Sequence, residues 1–159
     1  MVSNQHELAT DSLMPSAGIP QIVKRPFWDR GADNILFLIR ELKNINPNLG
    51  FQNIALTIHS NGGDMTALFP QKYPGKVSKI ITLDNRKMAL PRDTNLKVFT
   101  LRSGDQPSDE GVLLTFDEQK RFNIAIIKLL STTHNDVNNR GTLLQQKEII
   151  SYISNFLNI

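Results

Sequence analysis

Four short apolar runs, separated by segments with helical patterning, constrain the fold of this chain more than any other feature. They read "NIALTI" (53–58), "VSKIITL" (77–83), "KVFTL" (97–101) and "NIAIIKL" (123–129). Short uninterrupted apolar strands are typical of a parallel sheet that is covered on both faces. Strands that alternate with helices therefore predict an α/β fold with a mostly parallel sheet and helices on both faces.

The segments between these runs carry helix signals. Residues 29–44 repeat apolar side chains at helical spacing, and Asp33 is a candidate N-cap. Further helices are predicted over residues 65–72, from Thr115, and after Thr142, which is a candidate cap for the last amphipathic helix.

The chain divides by composition into two parts. Residues 1–28 are polar and contain several prolines, which predicts an irregular amino-terminal arm with a short strand at "QIVKR" (21–25). Residues 29–159 carry the strand and helix signals, and we expect them to form the α/β core.

Composition narrows the classes of function. The chain has 159 residues, no cysteine and a net charge of +3 from scattered basic residues, so neither disulfides nor a nucleic-acid footprint is expected. No apolar run approaches the roughly 18 residues of a membrane span, and the first residues lack a signal-peptide core. We therefore expect a cytoplasmic protein with no nucleic-acid partner and no membrane span.

Three residues of catalytic type follow three of the predicted strands. Ser60 follows "NIALTI", Asp105 follows "KVFTL" and His134 follows "NIAIIKL". Parallel strands present their carboxyl ends at one edge of a sheet, where ligands of such folds bind. The chain order at this edge is serine, then aspartate, then histidine.

This arrangement resembles the α/β-hydrolase superfamily. The stretch "IHSNG" (58–62), followed by Gly63, is similar to the G-x-S-x-G turn that exposes the family's nucleophile. "TLRSGDQPSDEGVL" resembles the acid loop and "STTHNDVNNRG" the histidine loop. The resemblance covers roughly residues 29–159.

The resemblance implies a serine hydrolase that needs no cofactor and acts on a small-molecule ester or related acyl substrate. It implies Ser60 as nucleophile, His134 as general base, Asp105 as the carboxylate that orients the base, and the Asn61 N–H as an oxyanion donor.

Other interpretations stay open from sequence alone. Ser60 could simply cap the following helix, and His134 could be an ordinary surface histidine. Asp109 is a rival acid, and Asp84 also ends a strand, although the family's acid more often follows the next strand. The functional alternatives are a catalytically silent, truncated hydrolase-like binding module and an unrelated α/β binding domain.

Two departures from the family pattern are visible. Ile58 stands where the turn usually begins with glycine, and only residues 1–50 precede the strand before Ser60. The first strands of the family's sheet are therefore expected to be absent, together with the usual His-Gly loop; "MPSAGIP" (14–20) is the one candidate for the second oxyanion donor. An unpaired sheet edge invites association, so a homodimer is a further expectation.

Overall fold

The computed structural model of the protein describes residues 17–138 and 140–158. Four strands are β1 (Ala55–His59), β2 (Lys79–Leu83), β3 (Lys97–Arg102) and β4 (Ala125–Lys128). The helices are α1 (Pro20–Val23), α2 (Arg25–Ile45), α3 (Asn61–Lys72), α4 (Phe116–Phe122) and α5 (Leu143–Leu157), with single 3₁₀ turns at Phe51–Asn53 and His134–Val137.

The sheet is entirely parallel and its strand order follows the chain order, β1-β2-β3-β4. In register, His59 at the end of β1 pairs with Leu83 of β2, which in turn pairs with Leu101 of β3. The residues that follow β1, β2 and β3 consequently emerge side by side at one edge of the sheet.

Helices cover both faces of this sheet. On one face, α2 and α3 pack Trp28, Leu68 and Phe69 against Ile80 and Val98. On the other face, α5 packs Ile149 and Phe156 against the alternate strand residues Ile81, Phe99 and Leu101. The prediction of an α/β fold with a parallel sheet and helices on both faces is therefore confirmed.

Most predicted elements are present. All four apolar runs form strands, and Thr115 and Thr142 cap α4 and α5 through reciprocal capping boxes. The helix predicted from residue 65 begins earlier, at Asn61, because the turn after Ser60 leads directly into it.

Two local predictions near the amino terminus were wrong. "QIVKR" is helical, not extended: it contains most of α1 and the first residue of α2. α2 begins at Arg25, well before Asp33, because Pro26 suits the first turn of a helix. The Asp33 carboxylate instead accepts a hydrogen bond from Tyr73 and pairs with Lys72 at 2.6 Å.

The coverage of β1 also differs from expectation. Among the described residues, β1 is an edge strand that pairs with β2 alone, and Thr57 is exposed while the other residues of the strand are partly exposed. The apolar run at residues 53–58 thus forms a strand as predicted, but the faces of this strand are not fully buried. In the part of the chain that the structure describes, no helix is long and apolar enough to cross a membrane.

Candidate active site

Ser60 lies in a sharp turn between β1 and α3. Its backbone has φ 57° and ψ −124°, a conformation that non-glycine residues rarely adopt and that is often retained at functional sites. Backbone hydrogen bonds hold the turn, from Ser60 N–H to Leu83 O at 2.8 Å and from Asp64 N–H to Ser60 O at 3.2 Å. Although Ser60 occupies the N-cap position of α3, its side chain makes no capping hydrogen bond, so capping does not explain this serine.

The glycines after Ser60 are explained by close packing. A Cβ placed on Gly62 would lie 2.0 Å from Cγ2 of Ile58, and one placed on Gly63 would lie 3.0 Å from Cβ of Asn85. Ile58, two residues before Ser60, therefore packs where a side chain at position 62 would otherwise stand. The turn accommodates Ile58 because Gly62 has no side chain.

His134 contacts Ser60 from the loop that follows β4. Its Nε2 is 3.0 Å from Ser60 Oγ, so the two side chains are within hydrogen-bonding distance. His134 begins a 3₁₀ turn that is fixed by a capping box between Thr133 and Asp136, with Thr133 N–H donating to Asp136 Oδ2 at 2.9 Å. The serine and histidine predicted to act together are thus brought together.

The carboxylate that contacts the His134 ring belongs to Asp84. Asp84 Oδ2 is 2.5 Å from His134 Nδ1, and the Asp84 side chain is fully buried. It accepts two further hydrogen bonds from Ser103, at 2.9 Å from N–H and 2.8 Å from Oγ–H, and lies 3.2 Å from the Arg102 guanidinium. Burial opposes the charge of this carboxylate, but the donors from His134 and Ser103 and the charge of Arg102 outweigh it and lower the pKa of Asp84.

Asp105 does not make the predicted contact with the imidazole. It is exposed, and its carboxylate accepts the backbone N–H of His134 at 2.7 Å, so it supports the histidine loop and not the ring. The rival Asp109 pairs with Lys87 at 2.8 Å. The physical reason is strand order: β2 lies next to β1, so the residue that ends β2 is one strand from Ser60, whereas β3 is two strands away.

His59, the residue before Ser60, contributes a contact that sequence reasoning did not assign. Its ring centroid lies 4.6 Å from that of His134, at an interplanar angle of 38°. Burial lowers the pKa of His59, and the neighbouring His134 lowers it further, so the neutral ring is favoured. The buried Nε2 of His59 has no hydrogen-bond partner among the described residues. In the sequence, the one indication of a role for His59 is its position at the carboxyl end of a predicted strand, next to Ser60.

Asn61, the residue after Ser60 and the predicted oxyanion donor, is the first residue of α3. Its side-chain Oδ1 accepts a hydrogen bond from Trp28 Nε1 at 2.8 Å, which fixes Asn61 against α2. Its N–H belongs to the first turn of α3, where backbone donors lack partners within the helix and favour negative charge. The candidate for a second donor, residues 14–20, lies partly outside the described residues and stays a prediction.

Two cavities adjoin the turn. A small polar pocket of about 60 Å³ is lined by Ser60 and Asn61 with charged neighbours, namely Lys24, Asp64, Asp84, Arg86 and Lys87. A larger apolar groove of about 690 Å³ lies between α2 and β1 and reaches His59 and Gly62. Within residues 17–138 and 140–158, no group of three or more histidine or acidic side chains is arranged to hold a metal ion.

The arrangement can activate a hydroxyl group: a serine on a strained turn, a histidine within reach of it, and a buried carboxylate on the far side of the ring. Comparison with models of protein families and with curated proteins yields no match for this chain. Assignment of an activity therefore depends on this geometry.

Proposed function

We propose that the protein is a serine hydrolase of the α/β-hydrolase type that cleaves small carboxylic esters through an acyl-enzyme. The observation that carries the proposal is the continuous contact from Ser60 Oγ to His134 Nε2 and from His134 Nδ1 to Asp84 Oδ2, at 3.0 Å and 2.5 Å. These separations suit a nucleophile, its general base and the group that orients the base.

In the first half-reaction, Ser60 Oγ attacks the ester carbonyl carbon while its proton passes to Nε2 of His134. The carbonyl oxygen gains negative charge, which the Asn61 N–H at the start of α3 stabilises. The carbon–oxygen bond to the alcohol then breaks, and His134 returns the proton to the departing alkoxide. In the second half-reaction, water attacks the acyl carbonyl carbon while its proton passes to Nε2 of His134. The bond from that carbon to Ser60 Oγ then breaks, His134 returns the proton to Ser60 Oγ, and the carboxylic acid is released.

Asp84 has two roles in this scheme. By accepting a hydrogen bond from Nδ1 it keeps the proton on that atom, which leaves Nε2 free to accept the proton of Ser60. By staying ionised it also stabilises the imidazolium that forms during each transfer. Its depressed pKa supports this role, since the carboxylate keeps its charge at neutral pH.

A catalytically silent hydrolase-like binding module is the second candidate. Two observations favour it: only one oxyanion donor can be named among the described residues, and β1 has an unpaired edge beside an apolar groove. Loss of one oxyanion donor typically reduces kcat by about 10²–10³-fold. On the first proposal we therefore expect slow turnover of activated esters, and on the second none.

Reaction with a fluorophosphonate, followed by peptide mapping, tests the proposal. We expect the reagent to modify Ser60 in the wild-type protein and to leave Ser60→Ala and His134→Ala unlabelled. Ser151→Ala is the matched control, because Ser151 lies exposed on α5. Labelling at another residue, or none in a protein whose circular dichroism shows it to be folded, would refute the proposal.

A further inference from the structure

The loop that follows Asp84 is held by side-chain hydrogen bonds. Asn85 Oδ1 accepts the Thr82 hydroxyl at 2.8 Å, and Asn85 Nδ2 donates to Met88 O at 2.9 Å. Asp64 Oδ1 accepts the backbone N–H groups of Lys87 and Met88, both at 2.9 Å. These two hydrogen bonds attach the backbone of residues 85–88 to the first turn of α3, where Asp64 lies. Burial raises the pKa of Asp64, and the backbone donors oppose that rise.

The cations carried by or near this loop differ in their partners. Lys87 pairs with Asp109 at 2.8 Å, and Arg102 pairs with Asp84 at 3.2 Å. Arg86 accepts the Asp109 N–H through its backbone carbonyl, but its guanidinium has no ion pair with any described residue. Arg86 is half-buried and lines the same pocket as Ser60.

The charges around this pocket leave cations in surplus. Asp84 is matched by Arg102 and His134, whereas Lys24 has no ion pair with a described residue and its charge only opposes the rise that burial causes in the pKa of Asp64. With Lys87 matched by Asp109, Arg86 and Lys24 are the two lining cations that have no ion pair with a described residue. A guanidinium has five N–H donors and favours planar oxyanions, above all carboxylates.

The size of the pocket limits what the cation can bind. Its volume is about 60 Å³, against about 690 Å³ for the apolar groove. The space therefore suits a short acyl chain that ends in a compact group such as a carboxylate.

The lining also indicates which side of an ester the pocket would receive. Asn61, which would hold the carbonyl oxygen, lines the pocket, whereas His134, which would protonate the departing alcohol, does not. A group bound there consequently belongs to the acyl part of the substrate.

We propose that Arg86 determines specificity by binding a carboxylate on the acyl part of the substrate, so that the preferred substrates are monoesters of short dicarboxylic acids. This inference rests on the proposed esterase function, because it names the substrate class of the same site. Lys24 also lines the pocket and adds to its positive potential.

The test compares two esters that differ only at the far end of the acyl chain, 4-nitrophenyl hydrogen glutarate and 4-nitrophenyl valerate, with spontaneous hydrolysis subtracted. We expect the wild-type kcat/KM to favour the glutarate ester and Arg86→Gln to reduce that preference about tenfold, the effect of one charge-assisted hydrogen bond. Arg86→Lys should retain part of the preference, and Arg40→Gln, an equal charge loss on exposed α2 surface outside the pocket, should retain all of it.

The outcomes separate the two proposals. Hydrolysis of both esters without a glutarate preference, or with a preference that survives Arg86→Gln, overturns the role of Arg86 and leaves the esterase function intact. If neither ester is hydrolysed, the esterase function fails. NMR titration of the wild-type protein with glutarate then decides whether the pocket binds a carboxylate. Shifts at Asn61 and Arg86 that Arg86→Gln abolishes would support the carboxylate site, and their absence would overturn it.

Discussion

Asp84 Oδ2 lies 2.5 Å from Nδ1 of His134, although 50 residues separate the two in the chain. Asp84 directly follows β2 and has φ 57°, and this positive φ turns the chain sharply at the carboxyl end of the strand. The His134 loop starts from the far side of the sheet, after β4, and spans β3 to reach both Asp84 and Ser60. The Asp105 carboxylate accepts a hydrogen bond from the backbone of that loop, at the N–H of His134.

The first prediction distinguishes the two carboxylates. Asp84→Asn should reduce kcat for an activated ester by roughly 10⁴-fold, because an amide can stabilise the wrong imidazole tautomer. Asp105→Asn should have a much smaller effect, since its amide oxygen can still accept the His134 N–H. Steady-state kinetics of the two variants would distinguish the carboxylates, with melting temperatures measured to show that both variants are folded. A larger loss of kcat in Asp105→Asn would show that Asp84 is only structural.

The locations of the strands and of Ser60 and His134 could be predicted from sequence, because apolar runs, caps and the turn signature are local patterns. The acid could not be chosen in the same way. Asp84, Asp105 and Asp109 all follow parallel strands, and the choice depends on which strand neighbours β1 and on the path of a loop three strands away. Both are properties of the assembled sheet.

The role of Ile58 was likewise beyond sequence reasoning. The sequence shows that Ile58 stands where a glycine is usual. Its effect on the turn, however, depends on a contact with Gly62 that only the folded structure shows. Similarly, no local signal revealed that the β1 run lies at an edge, since that depends on which strands pair with it.

The second prediction concerns the contact between Ile58 and Gly62. Gly→Ala at an ordinary helical position usually stabilises a protein, but Gly62→Ala should destabilise this one by about 1–3 kcal/mol, the usual cost of overpacking. The reason is the 2.0 Å approach between the added Cβ and Ile58 Cγ2. Chemical denaturation gives the free energy of unfolding.

A double-mutant cycle provides the control. Ile58→Ala removes the opposing methyl group, so the pair Ile58→Ala and Gly62→Ala should be more stable than the sum of the two single changes predicts. Additive effects would mean that Ile58 and Gly62 do not constrain one another.

The third prediction concerns pH and His59. The pKa of His59 is lowered by burial first and then by His134, while Asp84 opposes the shift. The unfolded chain therefore binds more protons than the folded protein below the ordinary histidine pKa of about 6.5, and stability should fall as the pH decreases through this value. Above it the contribution of His59 is constant.

His59→Phe tests this sign, since phenylalanine keeps a ring beside His134 without a titrating group. The free energy of unfolding of the wild-type protein, relative to that of His59→Phe, should decrease between pH 7 and pH 5. Parallel pH profiles for the two proteins would show that His59 titrates alike in the folded and unfolded states.

The last prediction concerns the free edge of the sheet. β1 has β2 on one side and no strand on the other among the described residues, and the adjoining apolar groove of about 690 Å³ is open along α2. Unpaired strand edges pair readily with another chain, and exposed apolar surface adds to the driving force. In a purified sample the available partner is a second copy, so we expect self-association at micromolar concentration in sedimentation equilibrium. Thr57→Lys places a charge at the one exposed residue of β1 and should weaken association, whereas Ser151→Lys on exposed α5 should not. A wild-type monomer, or equal effects of the two lysines, would rule out the β1 edge as the contact.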